Sequence, residues 1–332
     1  MDTIQEIDSF EIAKMLSDAR RLAIIRLLMV VPATLTQLGK SLDMHPAQVR
    51  YHLKKLEGVE LVELVSRRVV RGFVEKYYQA TARAYRINLT IVPQNPHRET
   101  VIASGSHDLA LELLAQSMCR DETTPDMFAL PIGSLDGLIA LRQGMCQIAG
   151  CHLLDPQSGE YNLSYVRHIF PGQDMRLVTL ARRQQGLLVK SGNPLGISSL
   201  EDLARPGVHF VNRKRGSGTR LWLDQQLLEQ GIPSDQIQGY DWTVNTHLQV
   251  AEAVATSQAD VGLAVVAAAQ KSNLDFVPLF EERYDLVIPA EHYQSSLLAA
   301  PLDHIHTAAF RQAVEGLGGY NPKEAGTEMK VN

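Results

Sequence analysis

Residues 208–220 read Val208-His209-Phe210-Val211-Asn212-Arg213-Lys214-Arg215-Gly216-Ser217-Gly218-Thr219-Arg220. A β-rich run ends here and two glycines permit a tight turn. A helix then starts near Thr219, with Leu223 and Leu227 four apart on its inner face. The first turn of any helix leaves backbone N–H groups without partners. Together with the Ser217 and Thr219 hydroxyls, those groups form a natural cradle for an anion. The loop lacks the later Gly-Lys-Ser/Thr of a nucleotide-phosphate loop. It also lacks the third glycine of a dinucleotide loop, where Leu221 stands. A turn of purely structural use fits the same residues.

Two further helix starts share this character. Gly133-Ser134 precedes a helix running through Arg142, and Thr246-His247 precedes one over 248–256. Strand-like runs at 127–130, 147–154, 176–180, 186–189, 208–211, 276–279 and 285–288 alternate with helical patterns, and 261–269 reads as a buried strand entering a helix. Ser198 and Glu201 predict a capping box for 200–204. Repeated alternation over some two hundred residues predicts open α/β sheets, in which ligands bind beyond the carboxyl ends of the strands.

The first ninety residues follow a different pattern. Leu22, Ile25, Leu28 and Met29 make a helical stripe, and Thr34-Leu35-Thr36-Gln37 is a capping box opening a helix that carries Leu38 and Leu42. After a turn at 43–45, Pro46 occupies the first position of the next helix. That helix turns Val49, Leu53 and Leu56 inward and offers Gln48, Arg50, Tyr51, Lys54 and Lys55 outward. Two β-rich runs, 61–65 and 73–78, then flank Ser66–Gly72, predicting a hairpin with Arg67, Arg68 and Arg71 at or near its tip. A helix-turn-helix followed by a basic hairpin is a winged helix, with one helix for the major groove and cations for phosphates.

Charge supports this division. Residues 1–92 hold 14 Lys+Arg against 10 Asp+Glu, whereas the remainder holds 18 against 27. A basic front on an acidic body suits a DNA-binding head. The opening MDTIQEIDSFEI lacks a signal-type apolar core, and Cys119, Cys146 and Cys151 make no regular disulfide framework, so a cytoplasmic protein off the membrane is expected. Cys146, Cys151 and His152 are not read as a metal site, and no catalytic motif stands out, so neither a cofactor nor an enzyme is expected.

Over residues 8–90 the motifs DARRLAIIRLL and TLTQLGKSLDMHPAQVRYHLKKLE resemble the ArsR-type winged helix. The resemblance implies a homodimer on a pseudo-palindromic operator, with a first helix near 9–16 in the dimer contact. Metal sensors of that family often carry cysteines on the helix before recognition. TLTQLGKSLD has none, so the signal is expected from elsewhere. From 107 to 315, PIGSLDGLIALRQG, LARRQQGLLVKSGNPLGI, NRKRGSGTRLWLD and THLQVAEAVATSQADVGLAV resemble the periplasmic-binding-protein-like domain related to molybdate-binding proteins.

That second resemblance implies a two-lobed α/β sensor of type II. Lobe one would be 107–182 with 286–315, and lobe two 187–282. A winged-helix domain over 1–92 and a linker over 93–106 would precede it, and a tail over 316–332 would follow. It implies cleft residues Ser134, Arg183, Gln185, Ser217, Gly218, Thr219, Arg220, Thr246, His247 and Tyr284. It also implies a small oxyanion effector, molybdate or tungstate first. An organic metabolite or a molybdenum-cofactor precursor is the other reading, and an enzyme on the same fold a further one. From the residues alone, Arg183 and Arg220 could equally serve structural ion pairs.

Overall fold

The computed structural model describes residues 4–7, 9–70, 72–87, 89, 91 and 96–332. The chain divides into two compact units, Met1–Val92 and Pro93–Asn332. Among the described residues no helix is long and apolar enough to cross a membrane.

The first unit runs β1 (Gln5–Ile7), α1 (Phe10–Leu16), α2 (Ala19–Val30), α3 (Leu35–Leu42), α4 (Pro46–Glu57), β2 (Val62–Val70), β3 (Phe73–Ala80) and β4 (Tyr85–Ile87). The Thr34–Gln37 capping box forms reciprocally, and Pro46 stands at the start of α4 as expected. Ile24, Ile25, Leu28, Leu38, Val49, Leu53 and Leu56 close one core beneath the helix-turn-helix. The hairpin differs from expectation. Strand pairing continues through Val69↔Val74 and Val70↔Phe73, so Arg67 and Arg68 lie within β2, away from the end of the hairpin. β-Branched residues on both strands favour pairing over a long loop, and Gly72 supplies the positive φ of +83° the tight turn requires.

The second unit runs β5 (Thr100–Gly105), α5 (Leu109–Arg120), β6 (Asp126–Pro131), α6 (Ser134–Arg142), β7 (Ile148–Cys151), α7 (Leu163–Ile169), β8 (Met175–Val189), β9 (Phe210–Arg213), α8 (Gly218–Glu229), β10 (Thr243–Val244), α9 (His247–Ala255), β11 (Val261–Val265), α10 (Val266–Lys271), β12 (Asp275–Pro289), α11 (Ala290–Tyr293), α12 (Ser296–Ile305), α13 (Ala308–Glu315), β13 (Tyr320–Asn321) and β14 (Glu328–Val331). Among the described residues the strands join in the order β10-β9-β11-β8-β12-β7-β5-β6, with β13 and β14 also along β8. β5, β6 and β7 are parallel in one lobe, and β9, β10 and β11 are parallel in the other. β8 and β12 are antiparallel 15-residue strands that run through both lobes.

Several sequence expectations need correction here. The runs 176–180 and 186–189 are one strand, as are 276–279 and 285–288, because the polar residues between them stay paired across β8 and β12. The run 147–154 keeps only Ile148–Cys151 as strand. Residues 201–204 form a short 3-10 turn tied by the Asp202 carboxylate to the Ser198 and Ser199 amides, without the Ser198–Glu201 box.

The expected linker 93–106 ends early. Thr100–Gly105 is an interior strand, with Val101, Ile102 and Ala103 buried between β6 and β7. Pro93, Gln94 and Asn95 lie outside the described residues. Nor is 316–332 a tail. β11 covers only Gln185–Val189 of β8, and β13 and β14 pair with its earlier residues, satisfying backbone groups that would otherwise form an open edge.

Candidate functional site

Each unit carries a candidate surface or core. On the first, α4 buries Val49, His52, Leu53 and Leu56 and exposes Gln48, Arg50, Tyr51, Lys54 and Lys55. This separation follows the 3.6-residue period. Lys55 Nζ lies 5.9 Å from the Tyr51 ring centroid, holding the aromatic within a cationic patch. On the wing, Arg68 sits 5.0 Å over the Tyr77 ring, whose hydroxyl donates to Glu75 at 3.1 Å. Arg67 stands opposite Lys76, both exposed. Like charges directly across a ladder repel, and a phosphate oxygen between them would relieve that. Arg71 lies outside the described residues.

In the second unit, the carboxyl ends of the parallel strands from both lobes lead into helix starts at the junction. Asp108 caps α5, Gly133 precedes α6, Ser217 caps α8 and Thr246 caps α9. Between them lies an enclosed polar core. Arg183, fully buried on β8, donates from Nε to Glu282 at 2.5 Å and from Nη1 to Asp108 at 2.6 Å, and packs on the Tyr284 ring. Glu282 Oε1 also accepts from Gln185 at 2.6 Å, and Gln185 pairs with Thr219. Glu282 Oε2 meets His152 Nδ1 at 2.7 Å, and His152 Nε2 meets Ser106 Oγ at 2.8 Å. Tyr284 donates to the Ser106 carbonyl, and Tyr320 to Asp108.

Burial disfavours the protonated His152 ring despite its carboxylate neighbour. A neutral ring donating from Nδ1 to Glu282 and accepting at Nε2 from Ser106 satisfies every contact. Burial alone would raise the Glu282 carboxyl, but Arg183 and His152 hold it down to about 2. Asp108 and Glu282 thus both serve Arg183.

Arg213, at the carboxyl end of β9 and 1 % exposed, has no such partner. Its Nη2 donates to the Asn245 carbonyl, while Nε and Nη1 bond to nothing among the described residues. Burial, aided by the nearby Arg183, pushes its pKa down to about 9, which still leaves it charged at neutral pH. Both ring nitrogens of His247 and Nη2 of Arg183 likewise lack partners there. Burial, with Arg213 and Arg183 adding, drives His247 well below its usual range, so its ring is neutral.

Of the cleft residues named from sequence, Ser134, Arg183, Gln185, Ser217, Gly218, Thr219, His247 and Tyr284 are all buried in this core. Two have other commitments. Arg220 pairs with Asp224 at 2.7 Å and stacks 4.0 Å from the Tyr240 ring, and the half-buried Thr246 hydroxyl is used in a capping box with Gln249. The Ser217 hydroxyl donates to the Lys214 carbonyl and accepts from the Arg220 amide, the bonding of a cap.

Sequence reading missed Ser106, Asp108, His152, Arg213 and Glu282 as site residues. For Arg213 a signal was present: a cation ending an otherwise strand-like run, on the side where α/β ligands bind. For Asp108 it was an N-cap residue ahead of the apolar 109–111.

The lobes are clasped. Lys214 Nζ donates to the Ile132 carbonyl and to Asp136, and Leu135 N–H donates to the Gly216 carbonyl. Gly218 is pressed so closely on His152 that a Cβ would lie 2.4 Å from its carbonyl oxygen. Gly218→Ala is therefore expected to hold the lobes apart and to remove at least half of any ligand-induced rise in Tm, read by thermal unfolding with and without ligand. A full rise would show that closure tolerates the methyl group.

Two lobes joined by paired crossing strands, with a polar core at their junction, define a binding-protein architecture. The PBP superfamily domain matches residues 117–306, and a helix-turn-helix domain matches residues 16–65. The chain belongs to the PBP superfamily. The uncharacterised protein YvgK of Bacillus subtilis is 34% identical over 231 residues, covering 69% of this chain and 73% of that protein. Among solved structures, a phosphate-bound Clostridium perfringens protein, assigned as the substrate-binding protein of a phosphate ABC transporter, superposes with a TM-score of 0.51. It is 15% identical over 67% of this chain and 99% of its own. The tungstate ABC transporter structure from Geobacter sulfurreducens gives 0.47 at 14% identity, over 66% and 98%. The likeness to the Clostridium perfringens protein is one of fold.

Proposed function

We propose that the protein is a cytoplasmic, ligand-responsive transcriptional regulator, an ArsR-like homodimer that reads an operator with α4 and the wing. Its PBP-like unit captures a small anion, with molybdate or tungstate as the leading candidates, and acts as a sensor and not an enzyme. The observation that carries this reading is the pairing on one chain of an exposed cationic helix-turn-helix face with an enclosed core holding a guanidinium that has no counter-ion among the described residues. An anion that favours closed lobes shifts the population toward that state and alters the heads' affinity for DNA in proportion to its preference for it.

Fluorescence anisotropy on a fragment of the protein's own promoter, with molybdate, tungstate, sulfate and phosphate added in turn, tests both halves. Preferential binding that one anion changes is the expected result. Equal affinity for random DNA at matched salt would remove the regulator reading. In parallel thermal scans, a ligand at about 100 times its dissociation constant stabilises by roughly 2.7 kcal/mol. No shift with any of the four anions would remove the oxyanion and leave the organic metabolite.

A further inference from the structure

We infer that Arg213 is the charge that makes lobe closure depend on an anion, and that the ligand presents an oxyanion group, tetrahedral or carboxylate, to its free Nε and Nη1. This rests on the sensor reading above and assigns the residue that selects the ligand's charge. The core is divided electrically. Around Arg183 two carboxylates face one guanidinium, and their oxygens are further used by Tyr320, Gln185 and His152. Around Arg213, among the described residues, there is no carboxylate within ion-pair distance. There is one carbonyl, from Asn245, and the buried His247 ring, at the start of α9, likewise has no partner for either nitrogen among the described residues.

A buried cation without a counter-ion is among the more costly arrangements a core can hold. The cost is met when an anion enters, because bonds between ionised donors and acceptors are the strong ones. The free atoms of Arg213, Arg183 and His247 are all out of reach of water with the lobes clasped. An anion therefore enters with the Lys214 latch open and is enclosed on closure. Without it, closing means burying Arg213 alone. The positive helix starts of α8 and α9, on the same lobe as β9, favour the same sign of ligand. Arg183, already neutralised, acts as a positioning residue.

The test compares thermal unfolding and direct titration of the full-length wild type, Arg213→Gln and Arg213→Lys with molybdate, tungstate, phosphate, sulfate and acetate at constant ionic strength. Tetrahedral and carboxylate arms separate the two sources of the oxyanion group. Arg213→Gln is expected to have a higher Tm than wild type without anion, since closure no longer buries a bare charge, and to bind the effective anion about tenfold or more weakly. Arg213→Lys keeps a charge and is expected to keep an anion response that Arg213→Gln lacks. A lower anion-free Tm in Arg213→Gln, with anion affinity unchanged, overturns the assignment, as do equal anion responses of the two variants.

If neither variant folds, the wild type decides. Boric acid, uncharged at neutral pH, is expected to leave its Tm unchanged, and a rise equal to that with the anions overturns the inference. DNA binding is measured on the same wild-type preparation. Anion binding without DNA binding removes the regulator reading and leaves this one standing. DNA binding with no anion response does the reverse.

Discussion

Replacing Glu282 with alanine is expected to destabilise the second unit by about 3–5 kcal/mol, because it strips one carboxylate from a buried guanidinium, leaves His152 Nδ1 without its acceptor and removes one of the two acceptors of Gln185. Trp222 and Trp242 are the two tryptophans of the chain and both lie in that unit, so their fluorescence reports its unfolding by urea. Glu282→Gln keeps an acceptor for Arg183 and should fall between wild type and alanine. A loss below about 1 kcal/mol for the alanine variant would mean that Asp108 alone suffices for Arg183.

Acid supplies an independent check on the same carboxylate. Its folded pKa is about 2, below the ordinary value. The unfolded chain therefore binds this proton first as pH falls, and the stability Glu282 contributes is present above the ordinary carboxylate range and lost between there and about pH 2. Wild type should accordingly lose its advantage over Glu282→Ala across that window. Asp285, whose carboxyl burial pushes upward, has the opposite sign, gaining stability as pH falls, and it is retained in both proteins. A difference between the two proteins that stays constant down to pH 2 would contradict the assignment.

The second large effect is expected on α4. Lys54→Ala with Lys55→Ala should weaken binding to operator and random DNA alike and reduce the slope of log affinity against log salt by about one per lost phosphate contact. Gln48→Ala, near the helix start where base edges are read, should leave that slope unchanged and relax discrimination at one base pair by about 1–3 kcal/mol. Anisotropy titrations at several salt concentrations separate the two. An unchanged salt slope in the double lysine variant would place the phosphate contacts elsewhere, with Arg67 and Lys76 on the wing as the next pair to change.

Much of this protein follows from short-range rules that any sequence exposes. The inward and outward faces of α4 follow from a 3.6-residue period, the caps at Thr34, Ser217 and Thr246 from side chains that reach three residues along, and the α/β class from alternation of element types. Of the eight proposed cleft residues in the polar core, Ser134, Ser217, Gly218, Thr219 and His247 stand at helix starts, which converge where parallel strands end, whereas Arg183, Gln185 and Tyr284 come from the crossing strands β8 and β12.

Which charge goes unpaired was not a local matter. Arg183 is balanced by Asp108, 75 positions before it, and Glu282, 99 positions after it. Arg220 is taken by Asp224 on its own helix, and Arg213 is left with none among the described residues. The three arginines thus end as a neutralised pair-former, a helix ion pair and a buried cation without a counter-ion among the described residues. Ion pairing falls off within a few ångströms, and only the packing of both lobes decides who stands within that range. The long strands and the paired residues 320–321 and 328–331 were hidden for the same reason, since a ladder is completed by partners far along the chain.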